Sequence, residues 1–164
     1  MKVNKEKPPK VDRSKIVVKT SAIHGKGVFA AKTIKKGEAI IEYKGERISW
    51  RLAEKRHPHN PKEPNHTFYF SLENGCVIDA KFGGNAARWI NHSCKPSCEA
   101  REDVFNKEPR VFIYAKRDLK VGEELFYDYS LDVEGRISKQ MKKDYECRCG
   151  AKKCRGTMLS PTSK

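Results

Sequence analysis

A mainly β fold with short accessory helices is predicted for this chain, and three observations carry the prediction. Apolar stretches are short and rich in β-branched and aromatic residues. Turn sequences such as Lys36-Gly37, Lys44-Gly45 and Glu73-Asn74-Gly75 separate them. The length, 164 residues, suits one domain, since a compact chain of about 150 residues buries roughly 70% of its unfolded surface around a single core.

Taken in order, residues 1–14 carry Pro8-Pro9 among alternating lysines and are expected to form a flexible basic arm. Residues 15–130 form the body. Strands are expected at 16–18, 28–31, 39–43, 67–72, 76–79, 110–115 and 124–127. A short helix is expected over 49–57, with Ser49 as N-cap and Pro58 as stop, and a further helical turn over 85–90. Residues 57–66 hold three prolines and three histidines. They read as a surface loop, because no cysteine or paired carboxylate accompanies the histidines. Residues 131–143 read as a basic linker or short exposed helix, 144–158 as a cysteine-bearing segment and 159–164 as a tail.

Composition removes several classes. With 37% hydrophobic and 34% charged residues, 11 Gly and 8 Pro, the chain is neither collagen-like, nor a long coiled coil, nor wholly disordered. No apolar run approaches the roughly 20 residues that cross a bilayer, and the N-terminus lacks the apolar core of a secretory signal. A soluble, non-secreted protein with no membrane contact is expected. The formal charge of +14 favours an anionic partner. Residues 1–15 carry six bases against two acids, and 136–155 carry eight against two, so the termini hold much of the excess.

Six cysteines are unevenly placed: Cys76, Cys94, Cys98, then Cys147, Cys149 and Cys154 in close succession. Residues two apart rarely suit a mutual disulfide, so zinc with thiolate ligands is the better reading. Cys76 and Cys98 read as packing residues.

Three constellations carry chemistry. His24-Gly25-Lys26-Gly27 precedes an apolar strand, and its glycines let backbone approach a ligand, although a Gly-x-Gly alone also describes a plain turn. Asn91-His92-Ser93-Cys94 follows the apolar pair Trp89-Ile90. Leu125-Phe126-Tyr127-Asp128-Tyr129 puts two tyrosines on one side of an extended strand, so both hydroxyls can face one pocket. Each taken singly also fits ordinary half-buried packing.

In this order and spacing, the motifs resemble the SET-domain family of protein lysine methyltransferases, with its zinc-binding post-SET segment. The resemblance covers roughly residues 17–158 and rests on 24–29, 43–46, 77–80, 84–94, 125–129 and 147–158. It implies a SET fold of small β-sheets, in which the Asn91-His92 segment and the tyrosine strand meet in a knot-like threaded arrangement. It further implies S-adenosylmethionine as cofactor and S-adenosylhomocysteine as product. The positions matching the family's cofactor contacts are His24, Gly25, Lys26, Gly27 and Phe68, with Arg88 near the methionine carboxylate and Asn91 and His92 at the adenine.

Tyr129 matches the catalytic tyrosine. Tyr127 matches the product-setting position, where a tyrosine favours mono- or dimethylation. Where the family commonly has tyrosine this chain has Phe68, with Tyr69 shifted to the other face of the strand, although a slipped register would let Tyr69 substitute. Three thiolates come from Cys147, Cys149 and Cys154, and the resemblance supplies Cys94 as the fourth ligand of one structural zinc. Four thiolates around zinc leave a charge of about −2, which the bases Arg148, Lys152, Lys153 and Arg155 would offset.

The implied chemistry is self-consistent. A lysine with a reference pKa near 10.4 is neutral about once in a thousand at pH 7.4, so a desolvating pocket beside a sulfonium must lower that value. A protein substrate, histone or nucleosome, is implied, with the basic termini free to contact DNA phosphates; an intracellular location is expected, in the nucleus or at chromatin for a eukaryotic protein or one delivered to a host cell, and otherwise in the cytoplasm. The competing reading is a catalytically weak SET scaffold kept for zinc-containing chromatin or nucleic-acid binding. Phe68 favours that alternative; Tyr129, Asn91 and His92 favour catalysis.

Overall fold

The computed structural model describes residues 4–5, 7–22, 25–56, 69–131 and 136–160. His24, Phe68 and the histidine-proline loop at 57–66 lie outside the described residues. Among the described residues there are eleven strands and two α-helices: β1 (Asn4–Lys5), β2 (Ile16–Thr20), β3 (Lys26–Ala30), β4 (Ala39–Glu42), β5 (Glu46–Ser49), α1 (Trp50–Arg56), β6 (Tyr69–Ser71), β7 (Cys76–Asp79), β8 (Asn91–His92), β9 (Cys98–Phe105), β10 (Glu108–Ala115), β11 (Phe126–Tyr127) and α2 (Lys139–Asp144). They form small sheets in the orders β1-β9-β10-β4, β2-β3, β5-β7-β6 and β8-β11. No helix among the described residues is long and apolar enough to cross a membrane.

The strands enclose one principal core, in which Val28, Ile34, Ile41, Ile78, Ile90, Val111, Ile113, Leu119 and Leu125 are buried. A smaller cluster of Ile48, Ala53 and Val77 seats α1 on the β5-β7-β6 sheet. The cap expected on α1 is present, with the Leu52 amide donating to Ser49 Oγ at 3.1 Å. The second expected helical segment is a 3-10 turn, Ala86–Trp89, whose Ala87 amide donates to Asn85 Oδ1. The basic stretch before the last cysteines resolves as α2, capped by Ser138.

Within the N-terminal arm, β1 pairs in parallel with β9, and Lys5 Nζ reaches Asp103 at 3.0 Å. Tyr69 occupies the other face of β6, as the unslipped register predicts. There its hydroxyl donates to the Ala53 carbonyl at 2.9 Å and its ring packs edge-on to Trp50, whereas Phe70 packs on Tyr43 in the principal core. Strand alternation therefore directs Tyr69 toward α1.

The segment after the body folds back on it. Glu146 and Thr157 pair in antiparallel fashion, and Leu131 pairs in parallel with Leu159. The amides of Leu131 and Ser160 complete that junction by donating to Met158 and Leu131 carbonyls.

Candidate functional site

The site forms where β3, β8 and β11 converge. Strand β8 lies in parallel register with β11, Asn91 opposite Phe126 and His92 opposite Tyr127. This places segments separated by more than thirty residues side by side, as the threaded arrangement requires.

The glycine turn is held by its neighbours. The Ser21 amide donates to the Gly25 carbonyl at 2.7 Å, and Gly25 adopts φ +45°. Gly27 is confined: a Cβ there would fall 2.1 Å from Glu124 Oε1 and 3.0 Å from the Ser21 Cβ. Buried Asn91 completes the clamp, its Nδ2 donating to the Lys26 carbonyl at 3.0 Å and to Glu124 Oε1 at 2.9 Å. Lys26 and Arg88 both lie over the Trp89 ring, at 4.8 and 4.7 Å, and Arg88 Nη1 donates to the Ala80 carbonyl at 3.4 Å.

Tyr127 and Tyr129 stand together with ring centroids 4.9 Å apart, and Tyr129 meets His92 edge-on at 5.3 Å. The Tyr129 hydroxyl donates to the Ile90 carbonyl. Burial, then the Glu124 carboxylate, pushes the Tyr129 phenol above its ordinary range. Burial, then the neighbouring Tyr43 and Tyr129, raises Tyr127 likewise. Both hydroxyls are therefore neutral. His92 is buried and held down to about 4, chiefly by desolvation and further by the Arg155 charge, against the opposing pull of Asp128. Its neutral ring accepts the Tyr129 amide at Nδ1, 3.0 Å away. The Nε2 proton this leaves points at Cys94 Sγ, 3.5 Å away.

Beside His92, the sulfurs of Cys94, Cys147, Cys149 and Cys154 lie within 4.8 Å of one another. The Cys94 sulfur is 3.7 Å from that of Cys147 and 3.9 Å from that of Cys154. A tetrahedral zinc with bonds of about 2.3 Å to sulfur has sulfur–sulfur edges of about 3.8 Å, so the four side chains fit that metal. Backbone amides of Arg155 and Gly156 point at the sulfurs of Cys94 and Cys154, at 3.4 and 3.3 Å, as they do when those sulfurs carry negative charge. Cys98 is fully buried in the principal core, and Cys76 packs against it.

Among the residues the sequence singled out, the structure thus gathers Gly25, Lys26, Gly27, Arg88, Asn91, His92, Tyr127, Tyr129 and the four cysteines around one junction. His24 and Phe68 fall outside the described residues. Sequence reasoning missed Glu124, Asp128 and the pairing of Arg155. Arg155 was read only as a counterion to thiolates, yet it grips Asp128 through two bonds of 2.7 and 3.0 Å. Strand alternation between Tyr127 and Tyr129 was the signal for Asp128, because it turns the residue away from the tyrosine face.

A model of the SET domain matches residues 25–130. Histone-lysine N-methyltransferase set1 of Dictyostelium discoideum is 37% identical over 147 residues, covering 89% of this chain and 9% of that protein. Histone-lysine N-methyltransferase 2B of Homo sapiens is 38% identical over 146 residues, with 89% and 5% covered. An H3 lysine-4 specific histone-lysine N-methyltransferase of Candida albicans is 40% identical over 137 residues, with 83% and 13% covered. A chain in the crystal structure of the Chaetomium thermophilum polycomb repressive complex 2 superposes with a TM-score of 0.67 at 34% identity, over 73% of this chain and 16% of that one. The chain thus spans a small part of the length of these relatives. The matched stretch contains the glycine turn, the Asn91–His92 strand and both tyrosines, and the chain belongs to the SET-domain family.

Proposed function

We propose that this chain transfers a methyl group from S-adenosylmethionine to the side-chain amine of a protein lysine, with histone tails or nucleosomes as substrate and mono- or dimethylation as the outcome. The observation that carries this reading is the convergence of the Tyr127–Tyr129 pair with the glycine turn across Asn91 and His92. Relatives at 37–40% identity named as histone-lysine N-methyltransferases support it.

The residues present suit the cofactor. Gly25 is exposed, and nothing lies within 4 Å of where its Cβ would be, so its backbone is open to a ligand. Gly25, Lys26, Gly27, Asn91 and His92, with His24 and Phe68 from the resemblance, form the cofactor-facing set, and Arg88 is the cation assigned to its carboxylate. When bound, S-adenosylmethionine supplies an electrophilic methyl on a positive sulfur and leaves as S-adenosylhomocysteine.

The chain's own residues position and desolvate the amine. Because the Tyr129 proton is committed to the Ile90 carbonyl, its oxygen lone pairs are left to accept an amine N–H and align the nitrogen lone pair for in-line attack. The neutral phenols take no proton. The lysine becomes neutral because an apolar channel disfavours its charge. The Tyr127 hydroxyl occupies volume that a third methyl would need.

Cys94, Cys147, Cys149 and Cys154 would hold one structural zinc, which would fasten the segment carrying Met158 and Leu159 beside this pocket. The chromatin substrate places the chain in the nucleus or at chromatin, with basic termini contacting DNA phosphates. Peptide mass spectrometry of histones, nucleosomes and non-histone proteins after incubation with zinc-loaded chain and cofactor tests the reading. Additions of one or two methyls, lost in Tyr129→Phe, are expected; no addition on any substrate despite cofactor binding would favour the binding-scaffold reading.

A further inference from the structure

One contact between the cysteine segment and the tyrosine strand is made by side chains that are neither metal ligands nor part of the methyl-transfer pocket. Arg155 directly follows the ligand Cys154. Its guanidinium clasps Asp128 in a two-bond grip, 2.7 Å from Nη1 to Oδ2 and 3.0 Å from Nη2 to Oδ1, while Nη2 also donates to the Leu159 carbonyl. Its backbone amide points at Cys94 Sγ. Asp128 lies between Tyr127 and Tyr129, so the grip acts on the backbone from which both phenols project. From the other side His92 spans the same gap, with Nε2 3.5 Å from Cys94 Sγ and Nδ1 accepting the Tyr129 amide. Beyond Tyr129, Leu131 is hydrogen-bonded to Met158 and Ser160.

Resting on the function proposed above, we infer that the Asp128–Arg155 pair is a positioning device that transmits the order of the four-cysteine centre to Tyr129. Arg155 directly follows Cys154 and its amide points at Cys94 Sγ, so its place is tied to the arrangement of those two sulfurs. Once there it fixes Asp128, and with it the φ and ψ of the strand on either side. A two-bond arginine–carboxylate grip suits this role because it restrains direction as well as distance. The pair is partly shielded, with side-chain exposures of 23% and 29%, so solvent screens it less than a surface contact. On this inference the four-cysteine centre would do more than fasten the C-terminal segment: through Arg155 and Asp128 it would restrain the strand from which the Tyr129 hydroxyl projects. Groups supporting a metal site in this manner typically change activity or metal affinity by roughly 10–100-fold when removed.

The test uses the full zinc-loaded chain and its variants Arg155→Met, Arg155→Lys, Asp128→Asn and the Asp128→Asn/Arg155→Met double variant, all four cysteines being retained. Zinc content is measured by mass spectrometry, kcat and KM on whichever substrate the wild type methylates, and amide exchange across 126–131 by deuterium labelling. The expected result is one zinc per chain throughout and kcat lowered roughly 10–100-fold by Arg155→Met or Asp128→Asn, with little change in KM. The double variant should be no worse than the poorer single one, Arg155→Lys should recover part of the loss, and the Tyr129 amide should exchange about tenfold faster in the Met and Asn variants.

Additive losses in the double variant, loss of kcat only in step with loss of zinc, or unchanged exchange at Tyr129 would overturn the inference. If the wild type methylates nothing, the function proposed above fails by itself. Exchange at Tyr129 in the zinc-retaining variants then decides the coupling alone.

Discussion

The Tyr129 hydroxyl donates to the Ile90 carbonyl, and the Tyr129 amide is held by the ring of His92, two residues further on. A phenol anchored at both ends has little freedom to move, so on the function proposed above the substrate amine must come to it. Replacement of Tyr129 by Phe keeps the ring contacts with Tyr127 and His92 but removes the aligning oxygen. The expected loss is about 100-fold in kcat, the scale on which misplacing a reacting group costs rate. Cofactor binding, measured by calorimetry, should be unchanged. A variant retaining wild-type kcat would remove Tyr129 from the reaction.

Tyr127→Phe should act on the product rather than on the rate. Tyr127 is 7% exposed, with its ring 4.9 Å from that of Tyr129, so its hydroxyl takes up room within the same pocket. Removal of that oxygen should let a methylated nitrogen turn and react again. Time-resolved peptide mass spectrometry should show trimethyl product accumulating where the wild type stops at one or two, and an unchanged methyl count would exclude the role.

Gly27 and Glu124 form a second interdependent pair. An added Cβ at position 27 would meet the Glu124 carboxylate, which must then leave Asn91. Overpacking of this kind costs about 1–3 kcal/mol, so Gly27→Ala should weaken cofactor binding by roughly 5- to 150-fold. The Gly27→Ala/Glu124→Ala double variant should bind better than the sum of the separate losses predicts, because the obstruction is gone. Strict additivity in a calorimetric cycle would show that the two residues act independently.

What the sequence disclosed follows physical lines. Strands such as 76–79 and 110–115 were legible because their apolar, β-branched residues are the ones the core buries. Strand β9 was not, because Glu99, Arg101, Glu102 and Asp103 give it no apolar signature; cross-strand partners hold it, including Arg101 stacked 4.4 Å over Tyr114. The hairpin from β9 to β10 was hidden for a related reason. Asn106 and Lys107 both adopt positive φ, 50° and 66°, in a turn type more readily recognised when it contains glycine. At the site, residue types and spacing named the tyrosines and cysteines. Strand alternation turns Asp128 away from the tyrosine face, but its pairing with Arg155 and the contact of Glu124 with Asn91 depend on which surfaces meet after folding, and no local pattern encodes those partners.

The cysteines divide into two groups with different expected behaviour. Cys94→Ser removes one of the four sulfurs around the centre and should abolish stoichiometric zinc. Zinc in small thiolate sites contributes roughly 10–16 kcal/mol to folding, so loss of the metal should melt the segment from α2 to residue 160. Limited proteolysis should then cut within 139–160 while β9 and β10 remain intact. Cys98→Ser should retain zinc, since Cys98 lies in the core away from the metal group, and its cost should fall on global stability instead. Zinc retained in Cys94→Ser, or lost in Cys98→Ser, would require a different ligand set.

The dependence of rate on pH separates an aligning tyrosine from a proton-accepting one. Burial and the adjacent Glu124 carboxylate both disfavour a phenolate at Tyr129, raising its pKa above the ordinary value of 10.0; burial, with Tyr43 and Tyr129 nearby, raises Tyr127 in the same direction. A raised pKa leaves the neutral phenol populated throughout the alkaline range. The substrate amine moves the other way, since desolvation favours its neutral, reactive form. Single-turnover rates should therefore climb with pH from 6.5, level off as the bound lysine finishes deprotonating, and show no fall below pH 10 from either tyrosine. Were Tyr129 to serve as a phenolate base, the rate would keep tracking its ionisation well beyond that plateau. A second ionisation that raises the rate above pH 9 in the wild type and disappears in Tyr129→Phe would establish that base and refute the aligning role.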